Sequence, residues 1–268
     1  MVSRVAVVDI GKDVDKAFRK AVTLMGGLND MNTQGNPVTI KVGIFNHKEG
    51  HHHTTPQVVK AIARWFNKAP VIYVAESDNY KGKALDRLQK FKEVFSDRVV
   101  PFDLSRDPEK RPVTIAHESL EFSHVLFDPH ILVSTHVLRK AQVGSILKNL
   151  LGLVPDREKE RFHEKLVETL LDVYEAVEGI DLAVLDGTYM FVETADGETR
   201  EVETNILVVG RDSVAVEALG ASLCGLNPLE MPLIQEAVRR GLGEGDIQKM
   251  EIVGDIECAR KRIRGFNV

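Results

Sequence analysis

Apolar residues recur along this chain with two periods that take turns. Runs rich in β-branched and aromatic residues, such as Val38-Thr-Ile-Lys-Val-Gly-Ile-Phe45, predict strands at 4–9, 38–45, 70–76, 130–136, 180–186 and 204–210. Between them, apolar positions three and four apart predict helices at 12–25, 56–67, 83–95, 141–151, 157–178, 212–223, 230–240 and 256–264. Thr55 and Pro56 read as the cap and first residue of the second helix, with Val59, Ile62, Ala63 and Phe66 on its buried face. The helix at 157–178 opens on Asp156 as its cap, carries Phe162, Leu166, Leu170, Val173 and Val177 as an apolar stripe, and turns its many charges to water. Strand–helix alternation of this kind implies an α/β protein with a largely parallel sheet.

Two stretches depart from that rhythm. Residues 97–128 hold short β pieces and little helical periodicity, which suggests an antiparallel excursion or a small inserted subregion. Residues 187–204 resemble a hairpin turning at Ala195-Asp196-Gly197. No repeat or flexible linker interrupts the chain. The expectation is one α/β domain over 1–268, Rossmann-like, its sheet flanked by helices, with a β-rich insertion at about 97–128.

Several strand-like runs end in a polar residue: Asp9, Asn46, Glu76, His136, Asp186 and Asp212. Parallel strands would bring these ends to one edge, where α/β sheets gather their ligands. For any one of them the plainer explanation is a chain turning into water.

Composition narrows the partners. A net charge of −5 and a pI near 6.0 argue against nucleic acid. No apolar run is long enough to span a bilayer, and the first residues look like a strand rather than a signal peptide. The two cysteines, Cys224 and Cys258, lie far apart with no Cys-x-x-Cys, so no iron–sulfur cluster is expected within the chain, and a reducing cytoplasm is the default compartment.

Two segments carry candidate chemistry. Asn46-His-Lys-Glu-Gly-His-His-His-Thr-Thr-Pro56 holds four of the nine histidines between a strand and a helix. His51 and His53 would share a side of an extended loop, with His47 approaching from its other arm, and imidazoles bind zinc, nickel or iron. The helix start behind Thr54 and Thr55 equally suits a small anion. A surface loop without chemistry is the third option, and the spacing matches no zinc motif. The second segment, Val143-Gly-Ser-Ile-Leu-Lys148-Asn149-Leu-Leu-Gly152, reads as a short apolar helix stopped by Gly152. A lysine there could serve as a base of depressed pKa or neutralise an anion; equally, Lys148 could snorkel outward and Asn149 bond the backbone. His163 could face the same place.

Together these pieces resemble the family catalogued as domain of unknown function 362. The resemblance rests on Lys41 and Asn46 followed by Thr54-Thr55-Pro56-Gln57-Val58-Val59, then Lys148-Asn149-Leu150-Leu151-Gly152 with Leu153-Val154-Pro155 and His163. Asp186-Gly187 with Glu193, and Gly210-Arg211-Asp212-Ser213-Val214-Ala215-Val216-Glu217-Ala218, complete the order. It departs where the family has Lys-x-Lys-x-His, here His136-Val-Leu-Arg139-Lys140, and where its second aspartate is Glu217. Many members also carry a ferredoxin-like cysteine domain, which this chain lacks. The resemblance implies an α/β fold and a shared polar site, not a reaction.

The first functional expectation is an enzyme acting on a small carboxylate or phosphate. Lys148, Asp186 and His136 would be catalytic, Lys41, Asn46, Thr54, Thr55, Asn149 and Asp212 would hold ligand or cofactor, and a divalent metal on the histidine loop would assist. The alternative is a non-catalytic metal- or cofactor-binding protein working with a redox partner. A homo-oligomer is open in either case, and a purely structural role is the third option.

Overall fold

The computed structural model describes residues 2–46, 48, 53–127, 130–193 and 199–264. In chain order, β1 (Arg4–Asp9), α1 (Val14–Leu24), β2 (Val38–Val42), α2 (Pro56–Trp65), β3 (Ile72–Glu76), α3 (Ala84–Leu88) and β4 (Val99–Asp103) come first. A hairpin of β5 (Lys110–Ile115) and β6 (Glu118–Ser123) leads to β7 (Ile131–Arg139). The remaining elements are α4 (Leu166–Ala176), β8 (Leu182–Glu193), β9 (Thr199–Gly210), α5 (Ser213–Leu223), α6 (Pro232–Arg239), β10 (Glu251–Gly254) and α7 (Ile256–Arg264).

Eight strands form one sheet in the order β10-β1-β9-β8-β7-β2-β3-β4. Every neighbouring pair is parallel except the two that involve β9, so β9 alone opposes the rest. Residues alternate between the two faces: Val5 and Val7 pack with α4, α5 and α6, while Ala6 and Val8 pack with α1 and α2. Both faces are therefore covered, as a mostly parallel sheet requires. Among the described residues no helix is long and apolar enough to cross a membrane.

The chain order of the strands decides where a ligand can sit. From β2 the sheet grows through β3 and β4 on one side, then returns to β7 on the other. The carboxyl ends of β2 and β7 thus flank a topological switch point, where consecutive crossovers diverge and leave a crevice.

Three sequence expectations are corrected here and one is narrowed. β4 joins the main sheet beside β3, so the antiparallel excursion expected within 97–128 is confined to the separate two-stranded sheet of β5 and β6. Their turn places Ala116 and His117 at φ 46° and 70°, and Asp172 of α4 accepts the Ala116 N–H at 2.8 Å. The strand at 204–210 belongs to the long β8–β9 hairpin and runs antiparallel; its turn at 195–197 lies outside the described residues. The helix expected over 141–151 is replaced by a 3-10 turn at Lys148–Leu153, because Glu217 takes the preceding backbone donors from outside. The helix expected over 157–178 is a 3-10 segment, Lys159–Lys165, followed by α4, with Lys159 buried instead of solvated.

Candidate functional site

A cleft of about 290 Å³ opens at the switch point, lined by the residues after β2 and β3, the end of β7 and the 148–163 segment. Its cationic side chains are Arg139, Lys148, Arg157 and Lys159; His136 and His163 face it too, and exposed Glu160 stands at its outer side.

Three fittings place Lys148 there. Gly144 sits at φ +77°, and an added Cβ would come 2.7 Å from the Glu217 carboxyl carbon, so the chain can hug α5 only with glycine at this point. The fully enclosed Glu217 carboxylate then accepts the N–H groups of Ser145 and Leu147, each at 2.8 Å. Asn149 locks the other side: its amide nitrogen donates to the carbonyls of Lys41 and Thr135 at 3.1 and 3.2 Å. Burial, and secondarily the charge of Arg139, lowers the Lys148 pKa to about 8. Among the described residues, neither Lys148 nor Arg139 has a hydrogen bond or a carboxylate partner; the Arg139 guanidinium lies 5.9 Å from the Phe191 ring centroid.

Behind the cleft lies a buried charge cluster. Lys41, 1% exposed, spends its three donors on Glu76 Oε1 at 2.6 Å, Asn149 Oδ1 at 2.8 Å and the Val42 carbonyl at 2.8 Å. Arg87 donates to Glu76 Oε2 at 3.2 Å and to the carbonyls of Ile44 and Ser77. Burial opposes ionisation of Glu76, yet Lys41, Arg87 and Lys159 together hold its pKa below the ordinary carboxylate value. Lys159 donates to the Ser77 hydroxyl, and burial lowers its pKa to about 7 against the pull of Glu76. Gly152 does not stop a helix; it lies within the 3-10 turn, where an added Cβ would overlap the Lys41 ammonium.

His136 lies flat against β2 because Gly43 leaves room: a Cβ at that position would overlap the imidazole ring. Its Nδ1 lies 3.0 Å from the Val137 carbonyl, which can only accept, so Nδ1 carries the proton and Nε2 keeps its lone pair. Burial, reinforced by Arg139, drives its pKa well below the usual histidine value. His163 is lowered as well, by burial and by Lys148.

Of the polar residues singled out from sequence, Glu76, His136, Lys148, Asn149 and His163 line this cleft. Lys41 stands behind it with every donor used, which corrects its assignment to ligand binding. Asp186, fully buried, does not reach it; its carboxylate accepts the N–H of Thr55 at 2.7 Å and of Thr188 at 2.9 Å, and burial raises its pKa. The anion expected at the start of α2 is thus supplied by the protein itself. Thr54 spends its hydroxyl on the Thr135 carbonyl at 3.0 Å, and Asn46 Oδ1 accepts the Lys48 N–H at 3.0 Å. His53 is buried with Nδ1 2.9 Å from the Thr54 carbonyl and its ring edge-on to Phe91, in the α1–α2 layer. His47 and His51 lie outside the described residues, and no group of three metal-ligating side chains occurs among the described ones. Asp212 is corrected outright: because β9 runs backwards, it stands at the opposite edge, capping α5 through the Ala215 N–H at 2.9 Å and bonded by Ser3. Asp9 is paired with Arg262 at 2.6 Å.

Sequence reasoning missed the roles of Arg139, Lys159 and Glu217. Arg139 was visible only as leftover basic character after His136. Lys159 was hidden in a charged run, and Glu217 looked like a mere substitution.

Fold and cleft define a three-layer α/β protein with a cationic pocket at the switch point of a mixed sheet. The chain belongs to the family described as Domain of unknown function (DUF362), whose sequence model matches residues 38–222 and so spans β2 to α5 with every cleft residue named above. No curated protein and no solved structure matched the chain.

Proposed function

We propose that the protein is an enzyme that binds a small carboxylate or phosphate in this cleft and moves a proton on it. The observation that carries this reading is the pair Arg139 and Lys148, two half-buried cations lining one cleft, neither of them paired with a carboxylate among the described residues. Burying charge without a partner is costly, and a bound anion removes that cost. Arg139 would hold the acid group. Lys148, with its pKa near 8, is present partly as free amine around neutral pH and can take and return a proton. Neutral His136 would serve as its acid–base counterpart. Exchange of the α-hydrogen of small carboxylates into deuterated water, followed by proton NMR, tests the reading. Exchange lost in Lys148→Ala supports it; equal exchange in that variant contradicts it.

One observation favours a second reading. The unprotonated Nε2 of His136 is a suitable metal ligand, so the cleft could present a divalent zinc, nickel or iron ion within a carrier protein. Metal analysis of His136→Ala against the unaltered protein separates the two.

A further inference from the structure

The cleft lining is of two chemical kinds: Arg139, Lys148 and His163 are basic, while Ile44, Phe45, Tyr80 and Leu151 are apolar or aromatic. Phe45 and Tyr80 are 43% and 48% exposed, whereas the other described phenylalanine, tyrosine and tryptophan rings are buried or half-buried. They are not scattered: their centroids lie 5.4 Å apart with planes 69° apart, an edge-to-face pair, and the Lys81 ammonium sits 5.0 Å from the Tyr80 centroid. Neither ring is needed to hold the sheet, since β2 ends at Val42 and β3 at Glu76.

From this lining we infer that the ligand is an aromatic anion: one planar ring lying against Phe45 and Tyr80, joined directly or by a short link to a carboxylate or phosphate that Arg139 holds beside Lys148. This deepens the reading above and rests on it. Size agrees: an apolar cavity of about 150 Å³ takes one benzene ring, so 290 Å³ accommodates a ring and an acid group. A dinucleotide would need more room.

Matched probes separate the two kinds of contact. Isothermal titration of phenyl phosphate and methyl phosphate compares ligands of like charge that differ in the ring. Aromatic contact favours phenyl phosphate by roughly two- to tenfold. In Phe45→Ala and Tyr80→Ala, whose exposed positions leave the circular-dichroism melt unchanged, that preference shrinks toward unity while methyl phosphate binding holds. In Lys148→Met both ligands weaken. Equal affinity of the unaltered protein for the two ligands, or an undiminished preference in both ring variants, overturns the aromatic assignment but leaves anion binding standing. If neither ligand binds, both readings fall together.

Discussion

The Glu217 carboxylate accepts the Ser145 backbone N–H at 2.8 Å, tying the centre of a buried helix to the turn that presents Lys148. Among the described residues the carboxylate has no side-chain cation paired with it; burial raises its pKa while the N–H groups of Leu147, Ser145 and Ile146 pull the other way. In Glu217→Ala two enclosed backbone donors lose their acceptor, which costs about 1–3 kcal/mol each where water cannot replace it. The expected result is a loss of roughly that size in urea denaturation, together with weaker anion binding. Unchanged binding would show that Lys148 is placed by other contacts.

The buried Lys41–Glu76 pair bears on stability. Removing one member of such a pair costs about 3–5 kcal/mol, because the other charge is stranded out of water. Lys41→Met is expected to fall in that range, tempered by Arg87, which remains bonded to Glu76 at 3.2 Å. Chemical denaturation reads it directly. A neutral effect would mean that Arg87 alone suffices for Glu76.

Close approach at Gly43 is open to a single-atom test. A methyl group there meets the His136 ring, which burial prevents from swinging aside. Gly43→Ala is expected to cost about 1–3 kcal/mol, the range for overpacking, and to shift the His136 imidazole NMR resonances. A wild-type melt with unmoved resonances would contradict the arrangement.

Lysine titration gives a pH signature. Lys159 has a pKa near 7 in the folded protein against 10.5 for an ordinary lysine, so above pH 7 the unfolded chain binds a proton that the folded chain has released. Stability should therefore rise with pH above 7, with Lys148 adding to the slope above about 8. Near pH 9 the unfolded Cys224 thiol begins to ionise while the folded one, raised to about 12, does not, and this opposes the trend. Urea midpoints between pH 7 and 9 should climb, and climb less in Lys159→Met. Equal slopes in the two proteins would contradict the burial of Lys159.

Much of this fold could be read from periodicity, because buried strands and amphipathic helices write their faces into the sequence. The largely parallel sheet and its helical flanks follow from that signal. What periodicity cannot report is strand direction in space. In sequence Asp212 closes a strand-like run just as Asp186 does, yet Asp186 lies within the longer β8, and β9 runs against its neighbours, so Asp212 lies at the far edge. Nor does local sequence show who neutralises a charge. Lys159 and its neighbours look alike in an Arg-Glu-Lys-Glu-Arg run, and only packing against Ser77 and Glu76 sets it apart. The threonines before α2 invited an anion, and Asp186, some 130 residues later, already provides one. The sequence ended a strand at His136 and put Lys148 in a helix; β7 in fact continues to Arg139 and Lys148 opens a 3-10 turn, yet both line the cleft.

Titration of methyl phosphate into the unaltered protein and into Lys148→Met and Arg139→Met, at pH 7 and again at pH 9, tests the central claim most directly. A cleft built around two unneutralised cations predicts binding at pH 7 that weakens by tenfold or more in each variant and weakens in the unaltered protein as the pH passes the Lys148 pKa of about 8. Equal affinity across the three proteins, insensitive to pH, would contradict it.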